Sequence, residues 1–139
     1  AMRVERYHGC PQEAMWVRQT VFVEEQGFRD EFDQIDNRAE HFVLFDKEKP
    51  IAVCRVFESE KSKIYILGRL AVLKAYRGKG IGRFLVAQAE TYLREIGAKE
   101  LHLHSQCRAS QFYSRIGFTE YGDVEPEEGC PHIWMKKTL

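Results

Sequence analysis

Arg77-Gly78-Lys79-Gly80-Ile81-Gly82, followed directly by Arg83, is the stretch of this chain best suited to chemistry. Alternating glycines make a turn whose backbone N–H groups point outward without partners, and three basic side chains add full positive charge. If a helix begins in the turn, its dipole adds partial positive charge at the same place, and the site suits a phosphate group. Other residues with chemical potential are more scattered. Asp30-Glu31-Phe32-Asp33-Gln34-Ile35-Asp36 is an acidic segment able to attract a cation. His102 and His104 share one face of a strand pattern, as a metal pair would, but no third ligand is evident.

The elements around the turn are those it needs. Ile64 to Val72 reads as a buried strand entering it, within a longer extended stretch from Lys63 to Leu73. Behind it Ile81, Phe84, Leu85, Ala89, Tyr92, Leu93 and Ile96 recur at helical spacing up to Gly97. Upstream, Met2 to Tyr7 is a short strand, and Pro11 followed by Gln12 and Glu13 starts a helix that ends near Gly27. Strands follow at His41 to Phe45 and Ile51 to Phe57, joined by a turn from Asp46 to Pro50. Downstream the pattern predicts a strand from Glu100 to His104 and a short helix carrying Ala109, Phe112, Tyr113 and Ile116. Two last strands, Phe118 to Tyr121 and His132 to Lys136, flank a loop from Gly122 to Pro131.

Neither common nucleotide motif fits the turn. A P-loop requires four residues between its glycine and Gly-Lys-Ser/Thr, and the hydroxyl residue is missing. The dinucleotide fingerprint requires different glycine spacing and an acidic residue about 20 positions on, yet the strand through His104 ends without a carboxylate. Arg77-x-x-Gly80-x-Gly82, with Val72 five residues ahead, instead resembles the acyl-CoA pyrophosphate loop of the GCN5-related N-acetyltransferases (GNAT). The segment Gln106 to Phe118 is similar to a second hallmark of that family, Asn-x-x-Ala-x-x-Phe-Tyr-x-x-x-Gly-Phe, with Gln106 in place of the asparagine. The order β-α-β-β-β-α-β-α-β extends the resemblance over nearly the whole chain. It implies one mixed α/β domain over 1–139, its mostly antiparallel sheet splayed between strands 4 and 5 and flanked by helices.

The resemblance implies acetyl-CoA as co-substrate and an amine, small molecule or peptide, as acceptor. Gly78, Lys79, Gly80, Ile81, Gly82 and Arg83, with Arg77, would hold the pyrophosphate. Leu70, Ala71 and Val72 would pair with pantetheine and polarise the thioester, and Gln106 and Phe112 would flank the pantetheine arm. Direct attack needs a polarised carbonyl, an amine that loses a proton, and a stabilised thiolate. Tyr113, with an ordinary pKa of about 10, is the expected acid or hydrogen-bond donor to the thiolate. The base stays open between Glu25, His41 and His132, because the fourth strand reads Leu67-Gly68-Arg69-Leu70 without a carboxylate. Val17-Arg18-Gln19-Thr20-Val21-Phe22-Val23-Glu24-Glu25-Gln26 and Gly129-Cys130-Pro131-His132 look like the ElaA/YjcF-type branch of the family. A different reading is a CoA-binding sensor or partner-binding module with little turnover. A third is a small nucleotide-binding protein.

Composition narrows the partners. The chain has 139 residues, enough for one core without disulfide or metal support. With 21 basic and 21 acidic residues there is no global field toward nucleic acid or an anionic membrane, so anion affinity is local. No apolar run approaches the roughly 20 residues of a membrane span. Cys10, Cys54, Cys107 and Cys130 show no Cys-x-x-Cys spacing and are expected as reduced thiols, Cys54 in the core. No basic-then-apolar leader is present, so a cytoplasmic protein is expected; a monomer or homodimer, and no metal, are expected as well.

Overall fold

A computed structural model of the chain describes residues 2–29 and 31–139. Seven strands form one sheet: β1 (Met2–His8), β2 (Glu40–Asp46), β3 (Lys49–Glu58), β4 (Ile64–Val72), β5 (Glu100–Gln106), β6 (Thr119–Glu127) and β7 (Cys130–Thr138). Their spatial order is β1-β2-β3-β4-β5-β7-β6. Every neighbouring pair is antiparallel except β4 and β5. Helices α1 (Gln12–Arg18), α2 (Ile81–Glu95) and α3 (Ser110–Arg115) complete the fold.

Burial explains the layering. Ile51 through Val56 of β3 are all buried, the signature of a strand covered on both faces rather than one. Helices α1 and α2 both pack against it. Of the face predicted for α2, Ile81, Leu85, Ala89 and Leu93 are buried, joined by Val86, whereas Phe84 and Ile96 are exposed. Burying side chains of this size contributes about 1.5–3 kcal/mol each. The first helix is less regular than its pattern predicts: α1 passes at Gln19–Glu25 into a π-helical stretch that buries Val21 and Phe22. That wider turn lets Gln26 and Phe28 cap it through bonds to the Val21 and Phe22 carbonyls at 3.1 and 2.9 Å.

Two irregularities create the cleft. Strands β4 and β5 pair only from Ile64↔Glu100 to Leu67↔Leu103, so they diverge from Gly68 and His104 onward. On its other edge β4 is bulged: Arg55 pairs with Gly68 and Val53 with Ala71, which leaves Cys54 facing both Arg69 and Leu70. Arg69 takes a positive φ of 53° to make the bulge.

One predicted segment is corrected. The loop from Gly122 to Pro131 is instead the end of β6, a two-residue turn, and the start of β7. Glu128 and Gly129 both have positive φ, 49° and 77°, the left-handed pair that closes a tight hairpin. Val124, 60% exposed, and the carboxylates around it show why the pattern missed the strand: its residues face solvent.

Candidate active site

The glycine turn stands where the sequence places it, at the start of α2. Gly80 precedes the helix with φ 76° and makes no side-chain cap. A β-branched residue is strained at that φ. Phe84 N–H already bonds the Gly80 carbonyl at 3.0 Å, which leaves the amides of Ile81, Gly82 and Arg83 as the open first turn of the helix. Gly82 serves a different need. A Cβ there would meet the Phe112 ring at 3.4 Å and a Val72 methyl at 3.7 Å, so its absence lets α2, α3 and the end of β4 converge.

Arg77 has partners within the protein. Its Nε donates to the Val72 carbonyl at 2.8 Å, and its two terminal nitrogens donate to both Glu25 oxygens at 2.6 and 2.9 Å. The guanidinium therefore ties the turn to β4 and to the first helix. The other cations at the turn are Lys79, which lies over the Tyr76 ring at 5.7 Å, and Arg83, both exposed. The same pair bears on Glu25: the hydrogen bond from Arg77 holds its carboxyl below the usual carboxylate range, which weakens it as a base. Gln106 is also engaged, donating to Gln26 at 3.1 Å and accepting from Arg108 at 2.6 Å.

Beside the splay lies a cavity of about 560 Å³. Leu70 and the bulge residue Arg69 line one wall, Tyr113 and His104 another, and the rings of Phe22, Phe28, Phe57 and Trp134 add an apolar surface. Tyr113 packs edge-on against Phe112 and Phe118. Burial pushes its phenol well above the ordinary value, so it remains a proton donor, and it makes no hydrogen bond among the described residues. Glu128 closes the rim by accepting a bond from the Arg29 amide at 2.9 Å.

The floor of the cavity is an ion network that sequence reasoning missed. Arg18, 1% exposed, donates to Glu31 at 2.8 Å and to Asp36 at 2.7 and 3.1 Å. Arg55 bonds Asp33 at 2.6 and 3.0 Å and Asp36 at 2.9 Å. Arg69 reaches Glu31 at 3.0 Å and Asp33 at 3.3 Å. Three arginines thus neutralise three carboxylates of the segment expected to attract a cation. Asp30 of that segment lies outside the described residues. Burial opposes ionisation of Asp36, but Arg18 outweighs it and holds the carboxyl far below the usual range. The signal was present: Arg18 shares a helical face with Ala14, Val17, Val21 and Phe22, Arg55 lies between Cys54 and Val56, and a buried arginine requires a carboxylate.

His41 is a member of this floor. It donates from Nε2 to the Asp36 carbonyl at 3.0 Å, and burial lowers its pKa. Cys10, Asp36 and His41 lie within 4.8 Å of one another, but the Arg18 guanidinium stands 3.6 Å from Cys10 and 2.7 Å from Asp36, where a metal ion would have to sit. His102 bonds Tyr121 and Glu100, both at 2.7 Å, and so does not pair with His104. His132 donates from Nδ1 to the Cys130 carbonyl at 2.7 Å.

A splayed parallel pair, a bulge beside it and an open glycine turn at the next helix define an acyl-CoA-dependent acetyltransferase fold. The chain belongs to the GNAT acetyltransferase family, whose domain model matches residues 8–139. Relatives place it in the ElaA/YjcF-like branch. The uncharacterized N-acetyltransferase YjcF of Bacillus subtilis is 34% identical over 128 residues, covering 90% of each chain. A Lactobacillus plantarum crystal structure, provisionally titled an N-acetyltransferase, superposes with TM-score 0.91 at 33% identity over 100% of this chain and 99% of that one. The crystal structure of Escherichia coli ElaA shares the fold, with TM-score 0.88 at 24% identity over 99% of each chain. No helix among the described residues is long and apolar enough to cross a membrane.

Proposed function

We propose that the protein transfers an acetyl group from acetyl-CoA to a primary amine, by direct attack within a ternary complex. The observation that carries this is the junction of bulge and splay: β4 has a free edge from Gly68 to Val72 beside the cavity that Tyr113 lines. The pyrophosphate fits the open amides of Ile81, Gly82 and Arg83, with Lys79 and Arg83 as charge partners. Pantetheine extends along Leu70, Ala71 and Val72, where β5 has turned away. The backbone N–H groups of the bulged strand then face the thioester oxygen, on which negative charge develops during attack. Arg77, bonded to the Val72 carbonyl and to Glu25, holds the turn against β4 beside the pyrophosphate.

The amine enters from the aromatic side of the cavity, and a volume of about 560 Å³ suits a small amine with an apolar body or a short peptide end. Attack on the carbonyl carbon forms the C–N bond, the C–S bond breaks, and Tyr113 donates a hydrogen bond to the departing sulfur. Of the two protons an ammonium acceptor loses, one ends on the CoA thiol and one reaches solvent.

The test is thiol release from acetyl-CoA across a panel of primary amines. Acetylated product in step with thiol is expected for at least one amine. Tight CoA binding without amine-dependent thiol release across the panel would favour the sensor reading.

A further inference from the structure

Three buried side-chain atoms have no hydrogen-bond partner among the described residues: Glu31 Oε1, Arg55 Nε and His104 Nε2. All three residues line the cavity. A buried polar atom left unpaired costs about 1–3 kcal/mol, so a ligand or water is the natural explanation for each. For Glu31 and Arg55 the cost is offset by the ion network, where each group's remaining atoms are paired with opposite charge. His104 lies outside that network, and its polar side-chain contact is with Glu127. Its ring stacks on Trp134 with centroids 4.7 Å apart, and lies 4.9 Å from the ring of His132.

Its other nitrogen is fixed. Nδ1 lies 3.1 Å from Glu127 Oε1, and a carboxylate only accepts, so Nδ1 carries the proton and Nε2 keeps its lone pair. Glu127 reaches over from the end of β6, which is a strand only because the Glu128-Gly129 turn closes the hairpin. His132 is oriented the opposite way: Nδ1 is committed to the Cys130 carbonyl, and Nε2 faces Glu127 Oε2 at 3.8 Å rather than open space. The register supplies the remaining fact. Leu67↔Leu103 is the last β4–β5 pair, which sets His104 at the mouth of the splay, across from Gly68 and one residue short of the bulge.

We propose that His104, its tautomer set by Glu127, is the base that takes the proton from the acceptor amine. The inference rests on the acyl-transfer reading above and supplies what the fourth strand lacks. The ammonium N–H bond breaks, its proton passes to Nε2 directly or through one water, and the nitrogen lone pair so freed forms the bond to the thioester carbon. The resulting imidazolium is held by the Glu127 carboxylate until the proton leaves to solvent. Glu127 is a positioning residue. Arg108 and Glu128 line the cavity too, as do Glu31, Asp33, Arg55 and Arg69 of the floor.

Two measurements test it. Nitrogen NMR of the imidazoles in the wild-type protein is expected to show His104 protonated at Nδ1, and Glu127→Gln is expected to disturb that state. Turnover is then compared for benzylamine, mostly protonated at neutral pH, and hydroxylamine, mostly not. His104→Gln should lower kcat with benzylamine by about 10²–10³, within the range for a lost general base. The loss with hydroxylamine should be under about tenfold, with CoA affinity unchanged. His132→Ala should lose less than His104→Gln. An Nε2-protonated His104 in an active wild type, equal losses with both amines, or a larger loss from His132→Ala would overturn the assignment alone. No thiol release by the wild type with any amine would overturn the acyl-transfer reading, and the base role with it.

Discussion

At the start of α2, Lys79 and Arg83 stand exposed beside backbone amides that have no partners. Beneath the cavity, Arg18, Arg55 and Arg69 are bound to Glu31, Asp33 and Asp36 within a network that is mostly buried. Both regions gather formal charges, yet only the first leaves some of them, Lys79 and Arg83, available. Charge in the turn is presented by backbone geometry and is unbalanced, so it can recruit an anion. Charge in the floor is balanced within the protein and serves to position β4, the first helix and the segment between 31 and 36. The difference shows that recognition depends on which charges remain unpaired after folding, not on which residues a segment contains.

The largest effect is expected where the floor is broken. Arg18→Met leaves Glu31 and Asp36 buried with one cation fewer, and should cost about 3–5 kcal/mol of stability in urea unfolding. Wild-type stability in that variant would mean the network is not a structural unit. Next is Gly80→Val. A β-branched residue at φ 76° costs about 1–2 kcal/mol and blocks close approach to the amides, so CoA affinity should fall by at least about tenfold in calorimetry. The same affinity as wild type would show that the turn is not the anion site.

Asp33→Asn sharpens the contrast between the regions. A steering carboxylate would raise amine KM mainly at low salt. A carboxylate already bound to Arg55 and Arg69 should instead lower unfolding stability and leave the salt dependence of KM unchanged. The smallest effect concerns pH. Asp33 and Asp36 have lowered pKa values in the folded state, so their stabilisation is complete above the unfolded value of about 3.9 and is lost as pH falls below it. His41, also lowered by burial, adds a shallower loss beginning below about 6.5. Unfolding free energies from pH 7 to pH 3 should therefore decline in two stages, and His41→Gln should remove the first.

The sequence made the turn legible because its chemistry is local: glycine spacing, flanking charges and a helix pattern lie within a few residues of one another. Strand order and splay were legible through resemblance, since the chain keeps the family's elements in sequence. The floor was not, because Arg18, Asp36 and Arg55 are joined only by folding. The β6–β7 hairpin escaped for a related reason. Its strand faces solvent, so Thr119 to Glu127 carries no alternation to mark it, and the role of Glu127 beside His104 was hidden with it. Arg77 shows a further limit: its position in the motif was evident, but its commitment to Glu25 and the Val72 carbonyl depends on how the first helix packs.

The most direct test is a CoA titration followed through backbone amide resonances. Large shifts are expected at Ile81, Gly82 and Arg83 and along Leu70 to Val72, with Arg18, Asp36 and Arg55 little changed. Saturable binding that leaves the α2 start unmoved, or shifts centred on the ion floor, would contradict this placement of CoA.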